Sequence, residues 1–233
     1  MKLFSRAAGE LLHLLYPHLC NGCGSDLLGR DNLLCLRCLY QLPHTGFAPH
    51  AGNPVEKYFW GRIPVEAAHS EFYFAKAATV QELVHQLKYK GNTAIGRYLG
   101  EMAGLSLLHS RRFREVNGLV PLPLYPDREH KRGYNQATVI CEGISAVTNI
   151  PVLYQDVARQ RPTQTQTRKH RAERWDNVDG SFIIRNPASV TGKHLLLVDD
   201  VVTTGATLEA CGRAILQCSE TKLSIVTLAL AGK

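Results

Sequence analysis

The chain has 233 residues, of which 45% are hydrophobic, and its formal net charge is +7. This length allows one large domain with or without a small module, and the hydrophobic content is enough for a real core. The positive charge suits anionic ligands such as phosphorylated metabolites or nucleic acid. No apolar run reaches the ~20 residues of a membrane span, and polar residues interrupt the N-terminal run where a secretory signal would be apolar. We therefore expect a cytoplasmic protein without a transmembrane segment.

Leucine residues recur at helical spacing between residues 3 and 16. The pattern predicts a helix that packs on the rest of the protein. Peripheral contact with a membrane remains an alternative, although only Lys2 and Arg6 supply positive charge to this stretch.

Two C-x2-C pairs follow the N-terminal stretch, with eleven residues between them. Pairs at this spacing place four thiolates tetrahedrally around Zn2+, and so short a segment would take its folding energy from the metal. Because four sulfurs close the coordination sphere, we predict a structural zinc site, with two disulfides as the alternative. The four ligands would be Cys20, Cys23, Cys35 and Cys38. Three further cysteines lie in helical patterns and are expected to be buried: Cys141, Cys211 and Cys218.

Residues 43–64 are rich in proline and glycine, which predicts a linker or an irregular segment. A strand is predicted from Ser70 to Ala75, and a helix follows from Thr79 with a capping-box pattern at its start. That helix ends near Lys88 and Lys90, which either complement the helix dipole or contact a ligand.

A strand–loop–helix unit is predicted between residues 118 and 146. Its strand runs from Gly118 to Leu124, its charged loop from Tyr125 to Tyr134, and its helix from Ala137 to Ala146. Asn135 is the predicted N-cap of that helix, whose start can hold an anion. Another short strand is predicted from Pro151 to Val157.

Residues 159–182 are the most polar stretch of the chain. Six Lys and Arg residues lie between positions 159 and 174 against a single acid, Glu173. The stretch has no apolar period, so we predict a solvated loop between two core strands. A strand is predicted to resume from Phe182 to Arg185.

The sequence from residue 195 to 207 carries the strongest chemical signal. Four apolar residues lead into Asp199 and Asp200, and a Thr/Gly loop precedes a helical run from Leu208 to Leu216. This order predicts a buried parallel strand, a loop and a helix N-terminus, where unpaired N–H groups and the helix dipole favour anions. Gly205 permits a tight turn and a close approach to a ligand. A last strand is predicted from Lys222 to Leu230.

Residues 195–207 resemble the phosphoribosyl-pyrophosphate (PRPP) motif of type I phosphoribosyltransferases, in which the loop holds a phosphate and the acids contact ribose hydroxyls. An incidental loop after a core strand is one alternative. A response-regulator receiver is another, since it also ends a strand in paired acids, but it carries them early in the chain and lacks the Thr-Thr-Gly-Ala-Thr loop. A Walker loop is excluded, because no Gly-x4-Gly-Lys-Ser/Thr sequence occurs.

Nearly the whole chain resembles the ComF/GntX family of competence-type phosphoribosyltransferase-like proteins. Besides the four-cysteine module and the PRPP motif, the resemblance rests on three segments: 87–91, 132–136 and 159–182. Two positions depart from the family pattern. Tyr134 stands where the family often has Phe, and Lys169 stands where Leu is usual, which leaves the packing of the third segment open.

The resemblance implies a type I phosphoribosyltransferase-like parallel sheet with helices on both faces, preceded by a small zinc-ribbon-like module. Residues 1–50 would form the N-terminal helix and the zinc-binding module, and residues 51–233 the phosphoribosyltransferase-like domain. It also implies that residues 159–182 form a mobile hood over the active site and that the protein takes part in DNA uptake during natural transformation.

In an enzyme of this kind, Asp199 and Asp200 would be the catalytic pair that holds the ribose hydroxyls as positive charge develops on the sugar. Mg2+ would accompany PRPP, and pyrophosphate would be released. The predicted PRPP-binding residues are Thr203, Thr204, Gly205, Ala206, Thr207, Lys88, Arg132, Asn135, Arg159 and Arg161. No convincing general base for an acceptor is visible, and the acceptor is not identified.

Two rival functions stay open. In one, the protein binds PRPP as a sensor without turnover. In the other, it is a competence factor that binds single-stranded DNA through the zinc module and the basic hood, together with competence proteins. The sequence does not separate the enzyme from the sensor.

Overall fold

The computed structural model describes residues 18–26, 28, 32–74, 79–160 and 181–231. The predicted helix over residues 3–16 and most of the predicted hood, including Arg161, lie outside the described residues. The helices are α1 (Leu36–Tyr40), α2 (Pro54–Lys57), α3 (Thr79–Tyr89), α4 (Thr93–Leu108), α5 (Pro126–Arg132), α6 (Gln136–Thr148) and α7 (Ala206–Leu216). The strands are β1 (Ala67–Phe74), β2 (Gly118–Pro121), β3 (Val157–Arg159), β4 (Phe182–Ile184), β5 (His194–Val202) and β6 (Lys222–Ala231).

Four parallel strands form the central sheet in the order β1–β6–β5–β2. Strand β5 lies inside the sheet, and its apolar residues are buried on both sides. Leu196 and Val198 pack with α3, α4 and α6, whereas Leu195 and Leu197 pack with α2 and α7. A strand covered on both faces reads as a continuous apolar run, which is why the sequence predicted β5 well. The predicted parallel sheet with helices on both faces is confirmed.

The strands that flank the predicted hood do not belong to this sheet. β3 and β4 pair with each other as a separate antiparallel ribbon, in which Val157 faces Ile184. The prediction that the hood lies between two core strands was therefore wrong. The strand predicted over residues 151–157 is reduced to a single bridge between Leu119 and Val152.

The segment predicted as a charged loop over residues 125–134 contains helix α5. Pro126 occupies its first turn with Asp127 and Glu129, basic residues fill its last turn, and Gly133 ends it with φ +81°. None of its residues is buried, so it lacks the apolar period by which a helix is recognised. The preceding strand, predicted to reach Leu124, ends at Pro121.

The four-cysteine segment packs on the same apolar cluster as α3 and α4, through residues such as Leu34 and Leu42. Polar contacts join it to α3 and to the start of α4 as well. Gln86 Nε2 in α3 donates to the carbonyl of Asn21 at 2.8 Å, and Nδ2 of Asn92, the N-cap of α4, donates to Oδ1 of Asn21 at 2.9 Å. The division of the chain near residue 50 remains a prediction.

Cysteine burial follows the helices only in part. Cys141 and Cys211 are fully buried in α6 and α7, as predicted. Cys218 lies beyond the end of α7 and is partly exposed, so the prediction for it was wrong. Within the described residues, no helix is both long enough and apolar enough to cross a bilayer.

Candidate active site

The predicted acid pair lies near the carboxyl end of β5, at the edge of the parallel sheet where α/β proteins place ligands. The inward–outward alternation of the strand is interrupted there, because Val198 and Val201 pack against the same apolar cluster although they are three residues apart. Asp200 is 8% exposed, and the ammonium group of Lys88 lies 2.8 Å from its Oδ1. Lys88, one of the predicted ligand-binding residues, therefore contacts one of the two acids, and its contact with a ligand remains a prediction.

Asp199 has a different environment from Asp200. Its Oδ1 accepts the backbone N–H of Asp200 at 2.8 Å. Burial and the neighbouring negative charge of Asp200 raise the pKa of Asp199 to about 8, against smaller opposing effects of that hydrogen bond, Lys88 and Arg159. At neutral pH the carboxyl group of Asp199 can therefore carry a proton.

The loop that follows β5 turns sharply into α7. Gly205 is the N-cap of α7 and adopts a left-handed conformation, with φ +74°. A Cβ atom at this position would lie 3.1 Å from Cε1 of Phe59, so a side chain there would be both strained and crowded. Thr203 and Thr204 are exposed, and Thr204 Oγ1 accepts the N–H of Ala206 at 3.4 Å. The loop thus presents hydroxyls at a helix N-terminus, as an anion site requires.

The two predicted ligand-binding residues beside α6 have unequal surroundings. Arg132 donates to Gln136 Oε1 at 2.6 Å, its guanidinium lies 5.5 Å from the ring centroid of Tyr89, and it lines a cavity of about 410 Å3 together with Lys88. Asn135 caps α6 by accepting the N–H of Ala137 at 2.9 Å, and it donates to the carbonyl of Leu122 at 3.0 Å. The predicted cap at Asn135 is confirmed, and its amide already holds the end of β2 in place.

Arg159, at the start of the predicted hood, lies close to two aromatic rings. Its guanidinium lies 3.9 Å from the ring centroid of Tyr125 and 5.2 Å from that of Phe182. Its buried Nε has no hydrogen-bond partner among the described residues. A cavity of about 300 Å3 opens beside it, lined also by Pro121, Asn135, Tyr154 and Arg185.

The four predicted metal ligands come together. All four Sγ atoms lie within 4.8 Å of one another, and those of Cys23 and Cys35 are 3.7 Å apart. A tetrahedron with Zn–S bonds of ~2.3 Å has edges of ~3.8 Å, so the donor set fits zinc. All seven cysteines are free. Burial raises the pKa of Cys20, but N–H groups such as that of Cys35, 3.2 Å from its Sγ, outweigh burial and lower this pKa to about 6, which favours a thiolate.

Comparison with known proteins adds to this geometry. A model of the phosphoribosyl transferase domain matches residues 135–233, which hold the acid pair and its loop. Competence protein F of Haemophilus influenzae is 26% identical over 225 residues, 94% of this chain and 93% of that protein. DNA utilization protein YhgH of Escherichia coli is 29% identical over 202 residues, 85% of this chain and 78% of that protein. These similarities support the resemblance to the ComF family that the sequence motifs indicated.

A further ComF relative, competence protein ComFC of Bacillus subtilis, is 33% identical over 99 residues, 42% of this chain and 38% of that protein. The domain match, the parallel sheet and the four-cysteine cluster together confirm the predicted phosphoribosyltransferase-like fold. The domain match begins after the four-cysteine segment and after Lys88.

The sequence did not predict that residues 43–64 support the candidate site. Residues 43–64 are largely irregular, as predicted, but they are not a free linker, because Val55 and Phe59 are fully buried beside α7. Phe59 lies under Gly205, and Arg62 donates to the carbonyl of Thr204 at 3.0 Å. No local pattern signals these contacts, which join residues far apart in the chain.

Proposed function

We propose that the protein binds PRPP, with its 5-phosphate in the loop Thr203–Thr207 and its ribose hydroxyls against Asp199 and Asp200. One observation carries this proposal: a single buried strand delivers the acid pair and then the left-handed turn into a helix start. Phosphate suits the helix start, whereas vicinal hydroxyls suit the paired carboxyl groups. A phosphorylated sugar is the ligand that satisfies both.

The protein would then transfer the phosphoribosyl group to an acceptor. The bond between C1 and the pyrophosphate oxygen breaks, its electron pair leaves with pyrophosphate, and the acceptor nucleophile bonds to C1. Lys88 and Arg132 share one cavity wall and would face the departing negative charge. Bound together with PRPP, Mg2+ supplies further positive charge to that leaving group.

The raised pKa of Asp199 suits this role. At neutral pH protonated Asp199 can donate a hydrogen bond to one sugar hydroxyl, and the carboxyl oxygens of Asp200 can accept from another. Positive charge that develops on the sugar favours ionisation of Asp199 and is stabilised by the fixed negative charge of Asp200. The pair therefore binds the sugar and stabilises its transition state with the same atoms.

The cavity of about 300 Å3 beside Arg159 supports an enzyme over a sensor. A sensor needs space for PRPP alone, whereas a transferase needs room for a second ligand. Arg159 lines this cavity, and its Nε, which has no hydrogen-bond partner among the described residues, is the donor that we assign to an acceptor molecule. A sensor without turnover remains the alternative, and a cytoplasmic location remains a prediction.

The test is a pyrophosphate-release assay with Mg2+, PRPP and a panel of nucleobases and other cyclic amines. We expect release that depends on the acceptor and is lost in Asp200→Asn, while the exposed-acid control Glu220→Gln keeps it. PRPP binding without release for any acceptor would favour the sensor.

A second candidate function is binding of single-stranded DNA, and a surface near the site favours it. Tyr89 is 66% exposed at the end of α3, with Arg132 over its ring and Lys88, Arg128 and Lys131 around the adjoining cavity. Exposed aromatic rings among basic residues stack bases and contact phosphates without reading sequence. Relatives of the chain are named competence proteins, and we propose a competence role together with DNA binding.

Fluorescence anisotropy with a labelled oligonucleotide at two salt concentrations tests this candidate. We expect DNA binding that falls steeply with salt and weakens in Tyr89→Ala. The variant Tyr40→Ala on α1 tests whether the zinc module, rather than the surface around Tyr89, binds the DNA. PRPP should compete, since Lys88 serves both ligands. A loss in Tyr40→Ala alone would move the DNA surface to the zinc module, and no binding at low salt would remove this function.

A further inference from the structure

Arg62 joins the missed segment to the loop that follows β5. Its Nη1 donates to the carbonyls of Tyr58 at 2.8 Å and Thr204 at 3.0 Å. Its Nη2 forms an ion pair with Glu209 in the first turn of α7. One guanidinium therefore contacts both the backbone of the loop and a charge on the helix that the loop opens.

The contact with Thr204 sets the direction of the next amide. A trans peptide is planar, so the C=O of Thr204 and the N–H of Gly205 point in opposite directions. Because Arg62 holds this carbonyl, the Gly205 N–H is aimed away from Arg62. A loop residue with φ +74° has no regular ladder to fix its peptide plane, so the side-chain contact performs that task.

The contact with Glu209 neutralises a negative charge beside the phosphate loop. A carboxylate in the first turn of a helix interacts with the same dipole that attracts an anionic ligand, and it repels that ligand. Arg62 pairs with Oε2 of Glu209, while Nη2 of Arg213 lies 2.6 Å from Oε1. The Glu209 side chain is only 14% exposed, so water screens it poorly and the two guanidiniums supply the neutralisation.

The segment that presents Arg62 is itself fixed to the sheet. Asn53 caps α2 and donates through Nδ2 to the carbonyl of Ala68 in β1 at 2.8 Å. Glu56 is buried, accepts the N–H of Gly52 at 2.6 Å and forms an ion pair with Arg112. Arg62 thus reaches the loop from a rigid base.

We propose that Arg62 is a positioning residue for the phosphate loop: it orients the Gly205 amide and neutralises Glu209 without contacting the substrate. The proposal rests on the proposed function of the same loop. It predicts that phosphate affinity depends on a side chain that lies more than a hundred residues away in the sequence.

Calorimetry with ribose 5-phosphate and with inorganic phosphate tests the proposal. Arg62→Met should weaken ribose 5-phosphate binding about tenfold, and Arg62→Lys should recover only part, because an ammonium restores charge but not the planar fork. Arg213→Met is the matched control. It removes the other partner of Glu209 but leaves the Thr204 carbonyl held, so its affinity should stay within about threefold of wild type.

Two further measurements separate the charge role from the backbone role. Adding Glu209→Gln to Arg62→Met should recover only part of the affinity, because the unneutralised carboxylate is gone but the Thr204 carbonyl is still not held. Amide hydrogen exchange at Gly205 and Ala206 should be faster than in the wild type both in Arg62→Met and in the double variant Arg62→Met/Glu209→Gln. Exchange in β5 and β6 should stay unchanged.

The outcomes separate this proposal from the function on which it rests. If folded Arg62→Met binds ribose 5-phosphate as tightly as the wild type, the positioning role is overturned and the proposed function stands. The role is also overturned if the variant loses affinity only in proportion to its unfolded fraction. If the wild type binds neither probe, the phosphate loop and the role of Arg62 fail together.

Discussion

Replacement of Gly205 by alanine separates the strain of a left-handed turn from the packing that supports the phosphate loop. A non-glycine residue at positive φ costs ~1–2 kcal/mol. At Gly205 the new Cβ would also lie 3.1 Å from Cε1 of Phe59, a ring that is 1% exposed. Crowding of a packed core adds ~1–3 kcal/mol. We therefore expect Gly205→Ala to lower the free energy of unfolding by ~2–5 kcal/mol.

Gly192 is the matched control for this variant. Its φ is +70°, close to that of Gly205, and an added Cβ would meet nothing within 4 Å. Gly192→Ala should therefore show only the conformational cost, ~1–2 kcal/mol. In urea denaturation, the midpoint should fall further for Gly205→Ala than for Gly192→Ala at an unchanged m-value.

Ligand binding completes this test. Ribose 5-phosphate affinity should fall at least tenfold in Gly205→Ala, because the displaced loop no longer aims its amides at the phosphate. It should be unchanged in Gly192→Ala, which lies outside the site. Equal destabilisation by the two variants, with wild-type affinity in both, would refute the claim that Phe59 supports an anion-binding turn.

Further predictions concern metal and pH. Elemental analysis of chelator-washed protein should find one zinc per chain. Cys35→Ser should lose the zinc and keep ribose 5-phosphate binding, whereas Cys218→Ser should retain the zinc. Two disulfides without metal would contradict the site. Burial would raise the pKa of Glu71, but hydrogen bonds from His44 and His69 lower it to about 2, so stability should fall as pH drops from about 4.5 toward 2, and Glu71→Gln should remove this acid loss. The raised pKa of Asp199 has the opposite sign: stability should decline as the pH rises from about 4 to about 8, and urea titrations should show no such decline in Asp199→Asn.

The parts of the fold that the sequence predicted correctly are those whose cause is local. β5 is apolar from Leu195 to Val198 because helices cover both of its faces, and the turn into α7 needs a glycine at positive φ. The four cysteines carry their geometry in their spacing. Each of these signals lies within a few residues of the feature that it predicts.

The parts that were missed depend on distant contacts or on surfaces. No residue of α5 is buried, so its sequence has no apolar period by which the helix could be recognised. Arg62 contacts the phosphate loop only because the fold brings two remote segments together, and its own neighbourhood in the sequence predicts an irregular stretch. β3 and β4 are too short for their pattern to show that they form a ribbon outside the main sheet.

The central claim is that the loop after β5 holds phosphate while the acids hold the sugar, and calorimetry of Asp200→Asn tests it most directly. The ligands are PRPP with Mg2+ and, separately, inorganic phosphate. The account predicts saturable 1:1 binding of PRPP by the wild type, a loss of about tenfold or more for PRPP in the variant, and a change of no more than about twofold for phosphate. Equal losses for both ligands, or no binding of PRPP by the wild type, would contradict it.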